Sequence, residues 1–243
     1  MPRPNRPDNG RTTYSAATYP GDGRSMSNPP ARLTAEAVDE VFPRGVVRPP
    51  AGAIPPGIKH RPTREFINGV GLPGEIRGRA AVIHEPADGG WQPLPDLWEE
   101  IREHDWTWTM PEHPEDWFYI GNIFGLGLLV IDGESGQVRF IPESEAGLFL
   151  LHKSVESLAY YMYAIERDGQ KYSEAYAASI DKDPNDPRDK EGVFMEGGRA
   201  LSAELYAFDP TPFVNDADEP WEDNGEGPWA WMIREISEGA WAE

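Results

Sequence analysis

The chain has 243 residues and no cysteine, and its 22 basic residues are outnumbered by 42 acidic ones, which gives a net charge of -20. The lack of cysteine excludes disulfides, thiolate nucleophiles and cysteine-ligated metals, and it fits a reducing, cytoplasmic setting. The negative charge argues against a surface that holds a nucleic-acid backbone or an anionic membrane.

Residues 1–31 differ in composition from the rest of the chain. They contain six prolines and no hydrophobic periodicity, so we expect a disordered arm. Residues 1–64 hold 10 basic and 5 acidic side chains, which leaves 12 basic and 37 acidic ones, net -25, for residues 65–243. We expect residues 32–243 to fold as a single domain, and we find neither a signal peptide nor an apolar run long enough to span a membrane.

Hydrophobic spacing and capping residues predict six helices. Thr34 and Ser154 each precede an apolar stripe at helical spacing and can cap the first turn. The charged segment Asp181–Gly192 is expected to be a loop. The predicted helices are Leu33–Phe42, Arg64–Val70, one opened by Pro95, one after Ser154, Arg199–Phe208 and Pro228–Glu238.

Strand signals are clearest between residues 117 and 141. This region is apolar without alternation, which is typical of strands covered on both faces. Because a run of strands is followed by helices, the sequence predicts an α+β fold, a single domain with a central, mainly antiparallel sheet flanked by helices. The predicted strands are Arg79–Glu85, Trp117–Phe124, Leu126–Ile131, the stretch around Val138 and Phe140, and Gly147–His152.

Three closely spaced glycines superficially resemble a phosphate-binding loop. The spacing of Gly121, Gly125 and Gly127 fits neither the dinucleotide nor the Walker pattern, and the run leads into a strand where a helix is required. The alternative is that Gly121 and Gly125 permit a bulge or a close backbone approach within a hairpin. We favour this structural role.

Two groups of metal-ligating side chains lack the spacing of a metal site. The candidates are His104, Asp105, His113 and Asp116 for zinc, and residues 181–192 for calcium. Nothing in the first group fixes ligand geometry, which favours a surface loop. In the second, Asp186 stands where a calcium loop needs glycine and Gly192 where it needs glutamate. The sequence therefore predicts no metal and no cofactor.

The sequence carries no signature of nucleophilic catalysis. No Gly-x-Ser-x-Gly motif occurs, and Ser135 lies in a predicted turn. Acidic neighbours such as Glu99 with Glu100, or Glu103 with Asp105, arise by chance among 42 acidic residues. We expect no enzyme activity. A hydrolase remains an alternative and would require carboxylates that converge in a pocket with perturbed pKa values.

Residues 86–116 form an insert in which tryptophans lie among prolines and acids. Tryptophans in such settings often anchor interfaces. The alternative for each of them, which we call the core alternative, is that the side chain is buried in the hydrophobic core. The candidate partner-binding residues are Trp91, Trp106, Trp108, Glu112, Glu115 and Asp116.

Several short patterns, in order along the chain, resemble the SUKH superfamily, specifically its SUKH-4 branch of actinobacterial immunity proteins. The likeness covers about residues 60–165, with an insert at 86–116 and a C-terminal helical extension beyond it. The patterns are Pro62–Pro73, Tyr119-Ile120-Gly121-Asn122, Leu128–Asp132, Gly136-Gln137-Val138 and Ser154–Leu158.

This resemblance implies a single α+β domain without catalysis that neutralises a toxin domain of a polymorphic toxin–antitoxin system, typically a nuclease or a deaminase. The implied partner is a basic, cognate protein toxin, which an acidic body would attract. We expect a cytoplasmic monomer that binds neither nucleic acid nor membrane. The alternative is a scaffold or regulatory binding domain of the same fold with no toxin partner.

Overall fold

The chain forms an α+β fold in the part that the computed structural model describes, which is residues 32–43, 45–50, 52–86, 89–101, 110–125, 127–143, 148–182, 186–213 and 227–241. The predicted disordered arm, residues 1–31, lies outside the described residues. The helices are α1 (Ala35–Val41), α2 (Arg61–Gly69), α3 (Leu94–Ile101), α4 (Val155–Arg167), α5 (Glu174–Asp181), α6 (Lys190–Phe208) and α7 (Pro228–Ser237).

A six-stranded antiparallel sheet forms the centre of the fold. Its strands follow the order β3, β5, β6, β7, β8, and β4 also pairs with β5. A separate two-stranded ladder joins β1 to β2. The strands are β1 (Val46–Val47), β2 (Leu72–Pro73), β3 (Ala81–Ile83), β4 (Gln92–Pro93), β5 (Trp117–Ile123), β6 (Gly127–Asp132), β7 (Val138–Pro142) and β8 (Phe149–His152).

Both faces of this sheet are apolar, as the unalternating strands predicted. On β6, Leu129 and Ile131 belong to the main core, whereas Leu128 and Val130 belong to a second cluster on the other face. We call these the inner and outer faces. A strand buried on both sides needs cover on both sides, so the sheet requires two layers of packing.

Helices of the C-terminal half supply much of the inner cover. Helix α4 buries nine of its thirteen residues, among them Leu158 and Met162, and α7 buries Trp229 and Ile236 in the same core. The predicted caps are confirmed. The Thr34 hydroxyl accepts a hydrogen bond from the Ala37 backbone N–H, and the Ser154 hydroxyl accepts one from the Ser157 backbone N–H.

Two helical predictions need correction. Helix α2 begins at Arg61, three residues early, because Pro62 is tolerated in a first turn whose amides have no helical partner. The predicted loop Asp181–Gly192 is too long, because Asp189 caps α6 and the helix starts at Lys190. The predicted helix Arg199–Phe208 is the C-terminal half of α6, which runs through Gly197 and Gly198. Gly198 lets Ser237 of α7 approach α6 closely.

The structural role predicted for the glycines of the hairpin between β5 and β6 is confirmed. The register of this hairpin shifts between Tyr119 and Gly121, and Gly125 lies in the turn with a φ of 64°. At Gly121 the backbone of β3 passes so close that a Cβ would overlap the Val82 carbonyl oxygen. The glycine therefore permits the pairing of β3 with β5.

Replacing Gly121 by alanine should destabilise the protein by about 2 to 3 kcal/mol, because backbone must move to make room for a methyl group. Gly69→Ala is the matched control, since a Cβ there meets nothing within 4 Å and alanine favours the helix. Urea denaturation of both variants measures the difference. Equal stability of the two variants would contradict the close approach of β3.

Candidate partner-binding surface

Helix α3 of the insert, residues 86–116, packs on the outer face of the sheet together with Met110. Strand β4 pairs with β5 and places the start of α3 at the sheet, and the short 3-10 turn Pro114–Asp116 leads the chain back into β5. The apolar cluster on the outer face, which we call the outer cluster, contains side chains from α3 and from strands β6 and β7. Its buried members are Leu94, Leu97, Leu128, Val130 and Ile141. The apolar sheet thus fixes the position of α3.

The insert also concentrates negative charge. Its sequence contains nine acidic residues and one arginine, which gives a net charge of -8 with the histidines neutral. Because the apolar side of α3 faces the sheet, its carboxylates at Asp96 and Glu99 are exposed, and Glu112 and Glu115 are exposed further along. We call these residues, together with Asp116, the acidic surface.

The three acids predicted to bind a partner lie within five residues of one another, just before β5. Asp116 is the least exposed of them, and its carboxylate lies 3.6 Å from the Lys59 ammonium. A hydrogen bond from its own backbone N–H, with a smaller contribution from His113, holds the pKa of Glu115 below its usual range. Glu115 is therefore charged at neutral pH.

The tryptophans of the insert do not all lie where an interface would place them. Trp91 is 5% exposed and belongs to the main core, and its indole Nε1 donates to the His84 carbonyl oxygen at 2.7 Å. The core alternative therefore describes Trp91, and its selection as an exposed anchor is wrong. Trp106 and Trp108 lie outside the described residues, so their interface role stays a prediction.

A partly buried polar cluster that sequence reasoning missed lies beside Trp91. Tyr119 Oη lies 3.0 Å from His84 Nε2, and Asn122 Nδ2 lies 3.5 Å from the same nitrogen. Burial, reinforced by the charge of Arg79, lowers the pKa of His84, so the ring is neutral at pH 7. Because the Asn122 amide nitrogen can only donate, Nε2 is the accepting ring nitrogen. Tyr119 and Asn122 both belong to the motif Tyr119-Ile120-Gly121-Asn122, and this motif was the sequence signal that could have pointed to the cluster.

A fully buried hydrogen-bond chain ties the end of the sheet to the C-terminal helix. Trp229 Nε1 donates to His152 Nε2 at 2.8 Å, which requires the other ring nitrogen to carry the proton. His152 Nδ1 then donates to Ser157 Oγ at 2.9 Å, and Ser157 Oγ donates to Asp209 Oδ2 at 2.5 Å. We call this series the His152 chain.

The His152 chain contains the residue types of a hydrolase triad but not its arrangement. In a triad the serine hydroxyl donates to histidine, whereas Ser157 accepts from His152 and donates to the carboxylate. Burial alone would raise the pKa of Asp209, yet hydrogen-bond donors from His152, Ser157 and Thr211 hold it well below its usual range. With His152 fully buried, the arrangement stabilises the fold and offers no nucleophile.

The metal candidates of the sequence are only partly described. His104, Asp105 and residues 183–185 lie outside the described residues, and in the remainder no group of three or more histidine, aspartate or glutamate side chains could hold a metal ion. Hydrogen bonds from Arg188 lower the pKa of Asp186 to about 2, and Asp189 caps α6. Both aspartates therefore have structural partners.

The acid pairs considered for a hydrolase do not form a described site. Glu99 and Glu100 are consecutive on α3, while Glu103 and Asp105 lie outside the described residues.

Across the described ranges, no helix combines the length and the apolar character needed to cross a membrane.

The family model for the SUKH-4 immunity protein matches residues 33–230, which is most of the chain and includes the sheet, the insert and the start of α7. The chain belongs to the SUKH-4 immunity protein family. No curated protein and no solved structure gives a significant match.

In this SUKH-4 protein the His152 chain should make stability sensitive to acid. Burial lowers the pKa of His152 from 6.5, and Asp209 offsets this only in part. The unfolded chain therefore binds a proton at higher pH than the folded protein does. The free energy of unfolding should be constant above about pH 7 and fall as the pH drops through 6 to 5, as measured by urea denaturation.

His152→Gln should lower stability at about pH 8 by roughly 1 to 3 kcal/mol, because Trp229 and Ser157 lose their partners. The same variant should flatten the decline between about pH 7 and 5. His84→Gln is the comparison, since the pKa of His84 is also lowered but its ring is only partly buried. An unchanged pH dependence in His152→Gln would mean that another group causes the acid sensitivity.

Proposed function

We propose that this protein binds and neutralises a cognate toxin domain, a basic nuclease or deaminase of a polymorphic toxin system, without catalysing a reaction. Membership of the SUKH-4 immunity protein family supports the immunity role. The serine, histidine and aspartate of the His152 chain are buried and bonded to one another, which supports action by binding. In this proposal the protein works in the cytoplasm as a monomer.

The observation that carries the proposal is the position of the acidic surface. The sheet holds α3 on its outer face, and the described acidic residues Asp96, Glu99, Glu112 and Glu115 of this region are exposed. Enzymes that act on nucleic acids present basic clefts to the phosphate backbone. A concentrated acidic surface attracts such a cleft, raises the association rate and repels acidic competitors.

Neutralisation is tested by co-expressing this chain with the toxin domain encoded beside its gene. We expect co-expression to restore growth of a host that the toxin alone arrests, and the two purified chains to form a stable complex. Failure to rescue, or rescue without a complex, would contradict the proposal and favour a scaffold or regulatory role.

Removing two charges from the acidic surface should slow association with the toxin. In the variant Glu112→Gln/Glu115→Gln the association rate constant should fall roughly 3- to 10-fold at low salt, because charge acts mainly on the encounter. The dissociation rate should change less. Stopped-flow or surface-binding kinetics measures both rates. Raising the salt concentration from about 0.05 to 0.5 M should reduce the difference in association rate constant between the variant and the parent protein.

The matched control is Glu36→Gln/Glu40→Gln, which removes two exposed charges from α1. This helix packs through Val38 on the main core and not on the outer face. Its association rate should stay near that of the parent protein. If both double variants slow association equally, the net charge of the whole protein directs the encounter, and the acidic surface has no special role.

Trp106→Ala and Trp108→Ala should accelerate dissociation if these tryptophans anchor the interface. Loss of a hot-spot tryptophan costs about 2 kcal/mol, which is roughly a 30-fold faster dissociation. Thermal melting of the same variants separates this outcome from the core alternative. Under the core alternative the melting temperature falls and binding weakens only through unfolding.

A further inference from the structure

A cleft of about 300 Å³ lies between the short 3-10 turn before β3, the turn between β5 and β6, and the end of the chain after α7. We call it the arginine cleft. None of its described lining residues belongs to the acidic surface. Its larger lining side chains are Arg77, Arg79, Phe124, Trp231 and Trp241.

The described lining of the arginine cleft is positively charged, unlike most of the protein. Its lining includes two arginines and no described carboxylate. The Arg77 guanidinium donates to the Gly169 carbonyl oxygen at 3.1 Å and forms no ion pair with any described residue, although its backbone N–H donates to Glu166. Arg79 lies 3.4 Å from Glu75, but both side chains are more than half exposed, so this pair is weak.

Three aromatic rings complete the cleft. Phe124 and Trp231 meet edge to face with ring centroids 4.5 Å apart, and both rings are only partly buried. The indole N–H groups of Trp231 and Trp241 have no hydrogen-bond partner among the described residues, so both can donate to an incoming group. Aromatic walls next to guanidinium groups suit a flat ring that carries an anion.

The backbone around the arginine cleft adopts conformations that cost free energy. Among the described residues three that are not glycine have positive φ, and two of them, Arg79 and Phe124, each at 58°, line this cleft. Such conformations persist only where the surrounding structure holds them, and they concentrate at functional sites. They bring Arg79 and Phe124 to the same opening.

We propose that the arginine cleft binds a nucleoside monophosphate. The base would lie against Trp231 and Phe124, and the phosphate would accept hydrogen bonds from Arg77 and Arg79. The cleft volume lies at the lower end of the range for small-molecule sites, which fits a ligand of this size. The site uses arginine side chains and does not involve a glycine-rich phosphate loop. It is independent of the proposed toxin binding.

Calorimetric titration of the full chain with AMP tests the proposal, with adenosine and ribose 5-phosphate as partial ligands. We expect AMP to bind in a one-to-one complex, and each partial ligand to bind at least about ten-fold more weakly, because each lacks one of the two recognised groups. Absence of AMP binding would overturn the proposal. Equal affinity for AMP and ribose 5-phosphate would overturn the role of the aromatic rings.

Variants locate the site. Arg77→Gln and Trp231→Leu should each weaken AMP binding about ten-fold, whereas Arg199→Gln and Tyr206→Leu, which alter exposed residues on α6, should not. Arg79→Gln is included because its side chain is 71% exposed and its loss should leave the fold intact. Circular dichroism and melting temperature verify folding. If AMP binding is unchanged in the folded cleft variants, AMP binds elsewhere and the assignment is wrong.

Discussion

The apolar outer face of the sheet is the constraint on which the rest of this structure depends. Leu128, Val130 and Ile141 point away from the main core and would meet water if nothing covered them. Helix α3 covers them and is positioned by the pairing of β4 with β5. Burying one side of α3 turns its acidic side outward, so the same packing that stabilises the sheet creates the acidic surface.

The C-terminal helix is held by a different kind of interaction. Trp229, His152, Ser157 and Asp209 come from α7, β8, the first turn of α4 and the end of α6, and their hydrogen bonds satisfy one another inside the core. A buried polar series of this kind is stable only when every member has a partner. It fixes the direction of α7, and thereby places Trp231 beside Phe124.

The two surfaces of the protein therefore have opposite chemistry for structural reasons. The acidic surface follows in part from helix α3, which is charged on one side and apolar on the other. The arginine cleft follows from backbone turns at Arg79 and Phe124 that meet the end of α7. A protein with a net charge of -20 can thus offer an acidic face to a basic partner and a separate cationic opening to an anionic one.

The sequence by itself determined the α+β class, the strands between residues 117 and 141, the caps at Thr34 and Ser154 and the family, because these depend on local spacing and short motifs. Only the tertiary structure decided that Trp91 is buried, that α6 continues through Gly197 and Gly198, and that His152 meets Asp209. Each of these depends on neighbours distant in sequence. A tryptophan among prolines and acids has the same local pattern whether it faces solvent or core, and only packing distinguishes the two.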